Sequence, residues 1–367
     1  MSNAIRIDDL REPRLSPAQQ AVIDATAGLQ VELSVDEVLC AARERTGLAD
    51  FGPEDFLERL GLLVDEWSSD AAMRPLQRLN LRNYLVRYAA NRLLLQDLWK
   101  RHPEILETEI RQPIIVAGLP RSGTTHLVNL LAADRRFHSL PLWESYEPVA
   151  LPGEPALPDG TDPRYGRCAE AWAGMQATLP LLAAMHPMNP DHIHEELELM
   201  GPDFASYNFE WLSPSPRWRD HYYAHDQAPH YEYMKNVLRT LTHFRGPGRW
   251  VLKCPQHMEQ LPVLKKVFPD ASVVITHRDP IAVIQSSVSN WFISTKSGGP
   301  LNGQVQDSII GCYELTRSAT RLDKFHAMAL FASAGIEPPR FDRYPDDHLF
   351  AGRDIISAVL TRTPIDY

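Results

Sequence analysis

The chain lacks the marks of several large protein classes. Its 367 residues include only four cysteines, Cys40, Cys168, Cys254 and Cys312, far apart and without paired spacing. Neither a disulfide framework nor a cysteine-built zinc site is expected, and reduced thiols predict a cytoplasmic protein. No apolar run approaches ~20 residues and the N-terminus is polar, so neither a membrane span nor a signal peptide is expected. Basic residues are outnumbered 37 to 47, for a formal net charge of −10. A nucleic-acid binder needs clustered Lys and Arg, so that class is set aside, although a local basic pocket for a small anion is not. The chain also has no His-Glu-x-x-His. His192 and His194 are two apart and would leave a helix on different faces, so no metal is expected.

What is present begins with ordinary globular composition, 44% hydrophobic and 23% charged. A chain of this length can bury a substantial core as one large α/β domain or two smaller ones. Its organising stretch is 113–134. Ile114 to Ala117 form a short apolar run, a buried strand bounded by turn residues. Gly118 to Gly123 make a glycine- and proline-punctuated turn. From Thr124, Leu127, Leu130 and Leu131 recur at helical spacing. Strand, tight turn and helix in that order make a phosphate cradle, with backbone N–H groups and the positive helix end facing an anion. The spacing Gly118-x-x-x-x-Gly123-Thr124-Thr125 follows the nucleoside-triphosphate loop, but Thr124 stands where that loop has its lysine. An ATP or GTP hydrolase is therefore disfavoured.

The rest of the chain arranges itself around this stretch. Residues 1–110 read as an N-terminal helical segment, with Ser34-Val-Asp-Glu37 as a helix start and Leu81, Tyr84, Leu85 and Tyr88 at helical spacing. Ser139–Trp143 offers a second strand, which would put Glu144 at a strand's carboxyl end, where ligands of parallel sheets sit. The Pro- and Gly-rich stretch from Pro148 to Pro163 reads as a surface loop or lid. Residues 164–246 are largely helical. Their patch of His192, His194, Glu195, Glu196, Tyr207, Trp211, Trp218, Tyr222 and Tyr223 suits either a core or the wall of a pocket for a hydrophobic alcohol or phenol. Trp250 to Lys253 and Ala271 to Thr276 read as strands, with a helix from Gln256 to Phe268 between them. This alternation implies a parallel sheet. Arg278, where the second strand ends, and Ser286, two helical turns on, form a second anion site. Residues 296–367 read as a C-terminal helical or irregular tail without legible chemistry.

Three motifs over roughly 112–293 resemble those of sulfotransferases that use 3′-phosphoadenosine-5′-phosphosulfate (PAPS), in their broad bacterial branch. They are Pro120-Arg-Ser-Gly-Thr-Thr125, Trp250-Val-Leu-Lys-Cys-Pro-Gln-His257, and His277-Arg-Asp-Pro followed by Ser286. The resemblance implies a P-loop-like α/β fold of three layers, a central parallel sheet flanked by helices, with the N-terminal helical layer added. Residues 111–295 would be the core, including acceptor-pocket helices at 164–246. Arg121, Ser122, Gly123, Thr124 and Thr125 would hold the 5′-phosphosulfate, and Arg278 with Ser286 the 3′-phosphate. The sulfuryl group would pass in line to a hydroxyl of a small, hydrophobic acceptor, with the bisphosphate nucleotide PAP as product and no metal required. Arg121 would neutralise the leaving oxygen, helped by backbone amides, and Lys253 would be a second cation. A general base is worth typically ~10²–10⁴-fold. Glu144 is the expected base, as in glutamate-base relatives, with His257 and His194 as alternatives. His194, Tyr207 and Trp211 are the expected acceptor contacts. A PAPS- or PAP-binding protein without turnover and a nucleotide-dependent kinase are the competing readings. Oligomeric state is not legible.

Overall fold

A computed structural model describes residues 14–284, 286, 321–322, 345 and 348–351. The expected N-terminal helices form for local reasons. Helix α1 (Pro17–Thr26) starts in a reciprocal capping box between Ser16 and Gln19. Ser34 caps α2 (Val35–Thr46) by accepting from the Glu37 amide at 3.1 Å, and Gly47 ends the helix in the left-handed region. Next come α3 (Phe56–Ser69) and the long α4 (Pro75–Arg101). Apolar faces of α2, α3 and α4 share a core with Phe204, Tyr207, Phe209, Trp218 and Tyr222.

The sheet begins with β1 (Ile114–Gly118), which leads through the glycine turn into α5 (Thr124–Ala132). After it the structure departs from expectation. The strand β2 is only Phe137–His138, and Leu142–Tyr146 is the short helix α6. Pro141 breaks the extended run and opens α6, so Glu144 lies on a helix and not at a strand end. The Pro148–Pro163 stretch is irregular and is pinned by Arg167, which bridges Glu147 and Glu154.

Helices α7 (Pro163–Thr178), α8 (Leu182–Met185), α9 (Asn208–Leu212), α10 (Pro216–Ala224) and α11 (Ala228–Arg245) follow, with a 3₁₀ segment at Glu196–Asp203. Then come β3 (Arg249–Lys253), a 3₁₀ turn (Pro255–Glu259), α12 (Leu261–Val267) and β4 (Ser272–Thr276). The helix expected over Gln256–Phe268 is thus two pieces, with Pro262 at the start of the second. A two-residue pair, β5 (Arg321–Leu322) and β6 (Phe350–Ala351), stands apart, and the remainder of the expected tail lies outside the described residues.

The four-stranded sheet is parallel, in the order β2-β3-β1-β4. Ile115, Trp250 and Leu252 point to one face and pack with Met234, Val237, Leu238 and Leu241 of α11 and with α12. Helix α5 packs against β1 and β3. The register sets Val116 beside Lys253 and Gly118 beside Thr276. The glycine turn, Lys253 and the residues after Thr276 therefore share one edge of the sheet, where an open α/β fold binds its ligands.

Candidate active site

At that edge the chain's geometry is restrictive. Gly118 has φ +139°, and a Cβ there would lie 2.3 Å from Thr276 Oγ1 and 2.7 Å from its carbonyl oxygen. Only glycine lets β1 and β4 meet so closely. Gly123 precedes α5 with φ +97°, and Arg121 between them is itself left-handed at φ +65°. Such a conformation is strained for arginine, and strain of this kind gathers at ligand sites. The Ser122 amide donates to the Leu119 carbonyl at 3.1 Å, and the Ser122 and Thr276 hydroxyls are 2.6 Å apart.

The two anion motifs, more than 150 residues apart in sequence, touch. Arg278 Nη1 donates to the Arg121 carbonyl at 2.7 Å, and Arg121 Nε donates to Ser286 Oγ at 2.9 Å. Arg121 thus ties the glycine turn to Arg278 and Ser286. The arginines are exposed at an edge that also presents the N-terminus of α5, where an anion's charge is favoured.

Behind the edge lies a buried network that the sequence did not disclose. Lys253 is buried at the end of β3, and its ammonium pairs with Glu195. Glu196, wholly buried, accepts from the Lys253 amide at 2.8 Å and from His257 Nε2 at 2.7 Å. That bond leaves His257 Nδ1 to accept from the Tyr231 hydroxyl at 2.9 Å. Both ring nitrogens of His257 are therefore engaged. Glu195, Glu196 and Tyr231 complete this network. The Glu195-Glu196 pair was visible in the sequence, but its partners were not.

Glu144 is placed elsewhere. Its carboxylate pairs with Arg245 at the end of α11, where Nε is 3.2 Å from Oε1. Arg245 also donates to the Ser139 carbonyl at 2.7 Å and lies over the Trp250 ring. Trp250 is three residues before Lys253, about 10 Å down the strand from the binding edge. Tyr207 and Trp211 pack with the N-terminal helices. The Tyr207 ring lies against Trp218 and Tyr222, and burial pushes its hydroxyl up to about 12. Of the expected acceptor contacts other than His194, Tyr207 is thus a buried core aromatic and Trp211 is half-buried against that core.

His194 belongs to a cluster of three imidazoles on the irregular segment 186–194. The His186 and His192 ring centroids are 4.7 Å apart, and each is about 6 Å from His194. His186 Nδ1, His192 Nε2 and His194 Nδ1 are buried without hydrogen-bond partners among the described residues. Burial, followed by the charge of His194 and Lys253, holds His186 down at about 3, with Arg121 adding to the push. His192 is likewise held at about 3, by burial and by its histidine neighbours and Lys253. Among the described residues no group of His, Cys, Asp or Glu is arranged to hold a metal ion, and no helix is long and apolar enough to cross a membrane.

The profile of the sulfotransferase family matches residues 113–334. Sulfotransferase STF1 from Mycobacterium tuberculosis H37Rv superposes with a TM-score of 0.65 at 29% identity, over 78% of this chain and 79% of that one. Sulfotransferase STF9 from Mycobacterium avium superposes at 0.62 and 22% identity, over 92% and 90%. The chain belongs to the sulfotransferase family. A segment of 91 residues is also 47% identical to the DNA-directed RNA polymerase RPB1 homolog of African swine fever virus. That segment is 23% of this chain and spans only 6% of the viral protein, too small a share to carry an activity across.

Proposed function

We propose that this sulfotransferase takes its sulfuryl group from PAPS and passes it to a hydroxyl of a small acceptor. The observation that carries the reading is the junction of Arg121, Arg278 and Ser286 beside the glycine turn. PAPS has a 5′-phosphosulfate and a 3′-phosphate, and the chain offers two linked anion sites at one sheet edge. The residues suit such a ligand: Gly118 keeps the turn open against Thr276, Thr124 replaces a triphosphate lysine, and two guanidiniums stand together.

In this reading Ser122, Gly123, Thr124 and Thr125 present backbone amides to the 5′ end, and Arg278 with Ser286 holds the 3′-phosphate. Arg121 lies between the two and counters charge developing on the leaving oxygen. Lys253 adds a cation whose position is fixed by Glu195 and by its buried strand. His257 acts as a positioning residue, holding Glu196 against the Lys253 amide. A sulfuryl group in transfer carries less negative charge than a phosphoryl group, so these cations suffice.

Incubation of radiolabelled PAPS with a panel of alcohols, phenols and lipids tests the reading. Label on at least one hydroxyl acceptor is expected from the wild type, with little from an Arg278→Ala variant. Tight PAP binding without any label transfer would favour a nucleotide-binding protein without turnover.

A further inference from the structure

If Glu144 and His257 are both engaged, the proton of the acceptor hydroxyl needs another destination. Three imidazoles, each with a nitrogen that has no partner among the described residues, lie close together, and one differs from its neighbours. His194 Nε2 stands 3.6 Å from Glu198 Oε1, whereas neither His186 nor His192 has a carboxylate at ion-pair distance among the described residues. We infer that His194 is the general base, with Glu198 as the positioning residue that sets its tautomer and orientation. This inference rests on the sulfuryl-transfer reading above.

Glu198 is held as a fixed anion. Its side chain is 4% exposed and accepts from Arg87 Nη2 at 3.1 Å, the Tyr88 hydroxyl at 2.7 Å and Asn208 Nδ2 at 2.8 Å. Arg87 is in turn stacked over Tyr146 at 3.9 Å, Tyr88 at 4.8 Å and Tyr84 at 5.0 Å. Burial works against the charge of Glu198, yet Arg87 and the nearby His194 and Tyr88 hold its carboxyl below the ordinary range. A carboxylate so anchored favours a proton on the facing nitrogen, Nε2, and leaves Nδ1 with its lone pair. The 3.6 Å separation is long for a hydrogen bond, as catalytic contacts often are before substrate arrives.

The backbone ties the residue beside this ring to the sheet edge. The His194 amide donates to the Leu140 carbonyl at 2.8 Å, and the next residue, Glu195, carries its carboxylate to the Lys253 ammonium. Lys253 is in register with Val116, two residues before Gly118 of the cradle. The competing groups are committed. Glu195 is paired with Lys253, both oxygens of Glu196 have partners, and His186 and His192 are held too far down to take a proton near neutrality.

In the resulting step the acceptor oxygen forms its bond to sulfur while the bond from sulfur to the donor's 5′-phosphate oxygen breaks. That oxygen departs with the bonding electron pair on PAP. The acceptor proton moves to His194 Nδ1, and the imidazolium charge is balanced by Glu198.

PAP affinity, label transfer and histidine NMR together test the assignment. PAP affinities of His194→Gln and Glu198→Gln within about twofold of wild type would show folded variants with an intact donor site. With phenol as acceptor, His194→Gln should lose at least about tenfold in kcat. With 4-nitrophenol, already ionised near neutral pH, the loss should be much smaller, a contrast that a merely structural role would not produce. Nitrogen-15 spectra of the wild type should show His194 protonated on Nε2 and bare on Nδ1, and Glu198→Gln should mix the tautomers. Equal losses on both phenols, or undiminished transfer to phenol, would overturn the assignment. If the wild type binds no PAP, the donor reading fails. If it uses neither phenol, the spectra decide alone, and an unchanged His194 tautomer in Glu198→Gln contradicts the role of Glu198.

Discussion

The carboxylate of Glu144 shows how one contact redirects an assignment. On an extended run ending at Trp143 it would have stood at the ligand edge of the sheet, but Pro141 starts a helix and Arg245 takes the charge. Glu144→Gln should therefore leave kcat within about threefold of wild type, far short of the ~10²–10⁴ lost with a base. It should lower stability by roughly 3 kcal/mol, the low end for breaking a buried ion pair, as read by denaturant unfolding. A second residue-scale expectation concerns Ser286. Its hydroxyl accepts from Arg121 Nε, so Ser286→Ala should weaken PAP binding by about 1–2 kcal/mol, roughly five- to thirtyfold in Kd. Titration calorimetry measures it directly.

At the scale of elements, the turn between β1 and α5 was the most legible part of the chain. Glycine spacing, the apolar strand before it and the helical period after it are all local signals, and each appears within a residue or two of its expected place. The strands β3 and β4 were legible for the same reason. What stayed hidden depends on tertiary contacts. Nothing near Glu198 in sequence announces Arg87 and Tyr88, 110 or more residues away, yet those partners decide that it is a buried anion. The aromatic patch had two readings, and packing with α3 and α4 buries Tyr207 in the core while Trp211 stays half-buried against it. Gly118 gives this scale its prediction. Gly118→Ala would press a Cβ against Thr276 backbone, so PAP binding should fall at least tenfold and thermal stability with it, as read by calorimetry.

Across the whole molecule, buried charge joins the N-terminal helices to the sheet layer. Asp203 receives Arg59 of α3 at 3.0 Å, Arg92 of α4 at 2.9 Å and His230 of α11 at 2.5 Å. Burial opposes its ionisation, but the His230 hydrogen bond and the charges of Arg59 and Arg92 hold its carboxyl below the ordinary range. Asp203→Asn should cost about 3–5 kcal/mol, because the buried Arg92 loses its counter-charge and Arg59 keeps only Asp55.

The histidines add a pH signature. His186 and His192 are held at about 3 when folded, whereas unfolded imidazoles titrate near ~6.5. Below that value the unfolded chain binds more protons, so their contribution is complete above pH ~6.5 and is lost as pH falls towards about 3. His138 and His221, also held down chiefly by burial, act in the same direction. The melting temperature should already fall between pH ~6.5 and ~5, before most carboxylates titrate, and a His186→Asn, His192→Asn double variant should flatten that slope.

The central claim is a donor site built from the glycine turn and the Arg278–Ser286 pair, and ligand-induced thermal stabilisation tests it most directly. At ~100 times its Kd, 3′,5′-adenosine bisphosphate should add ~2.7 kcal/mol and raise the melting temperature of the wild type. Mg-ATP should not, and Arg278→Ala should lose most of the response. Stabilisation by Mg-ATP in place of the bisphosphate, or an undiminished response in Arg278→Ala, would contradict the account.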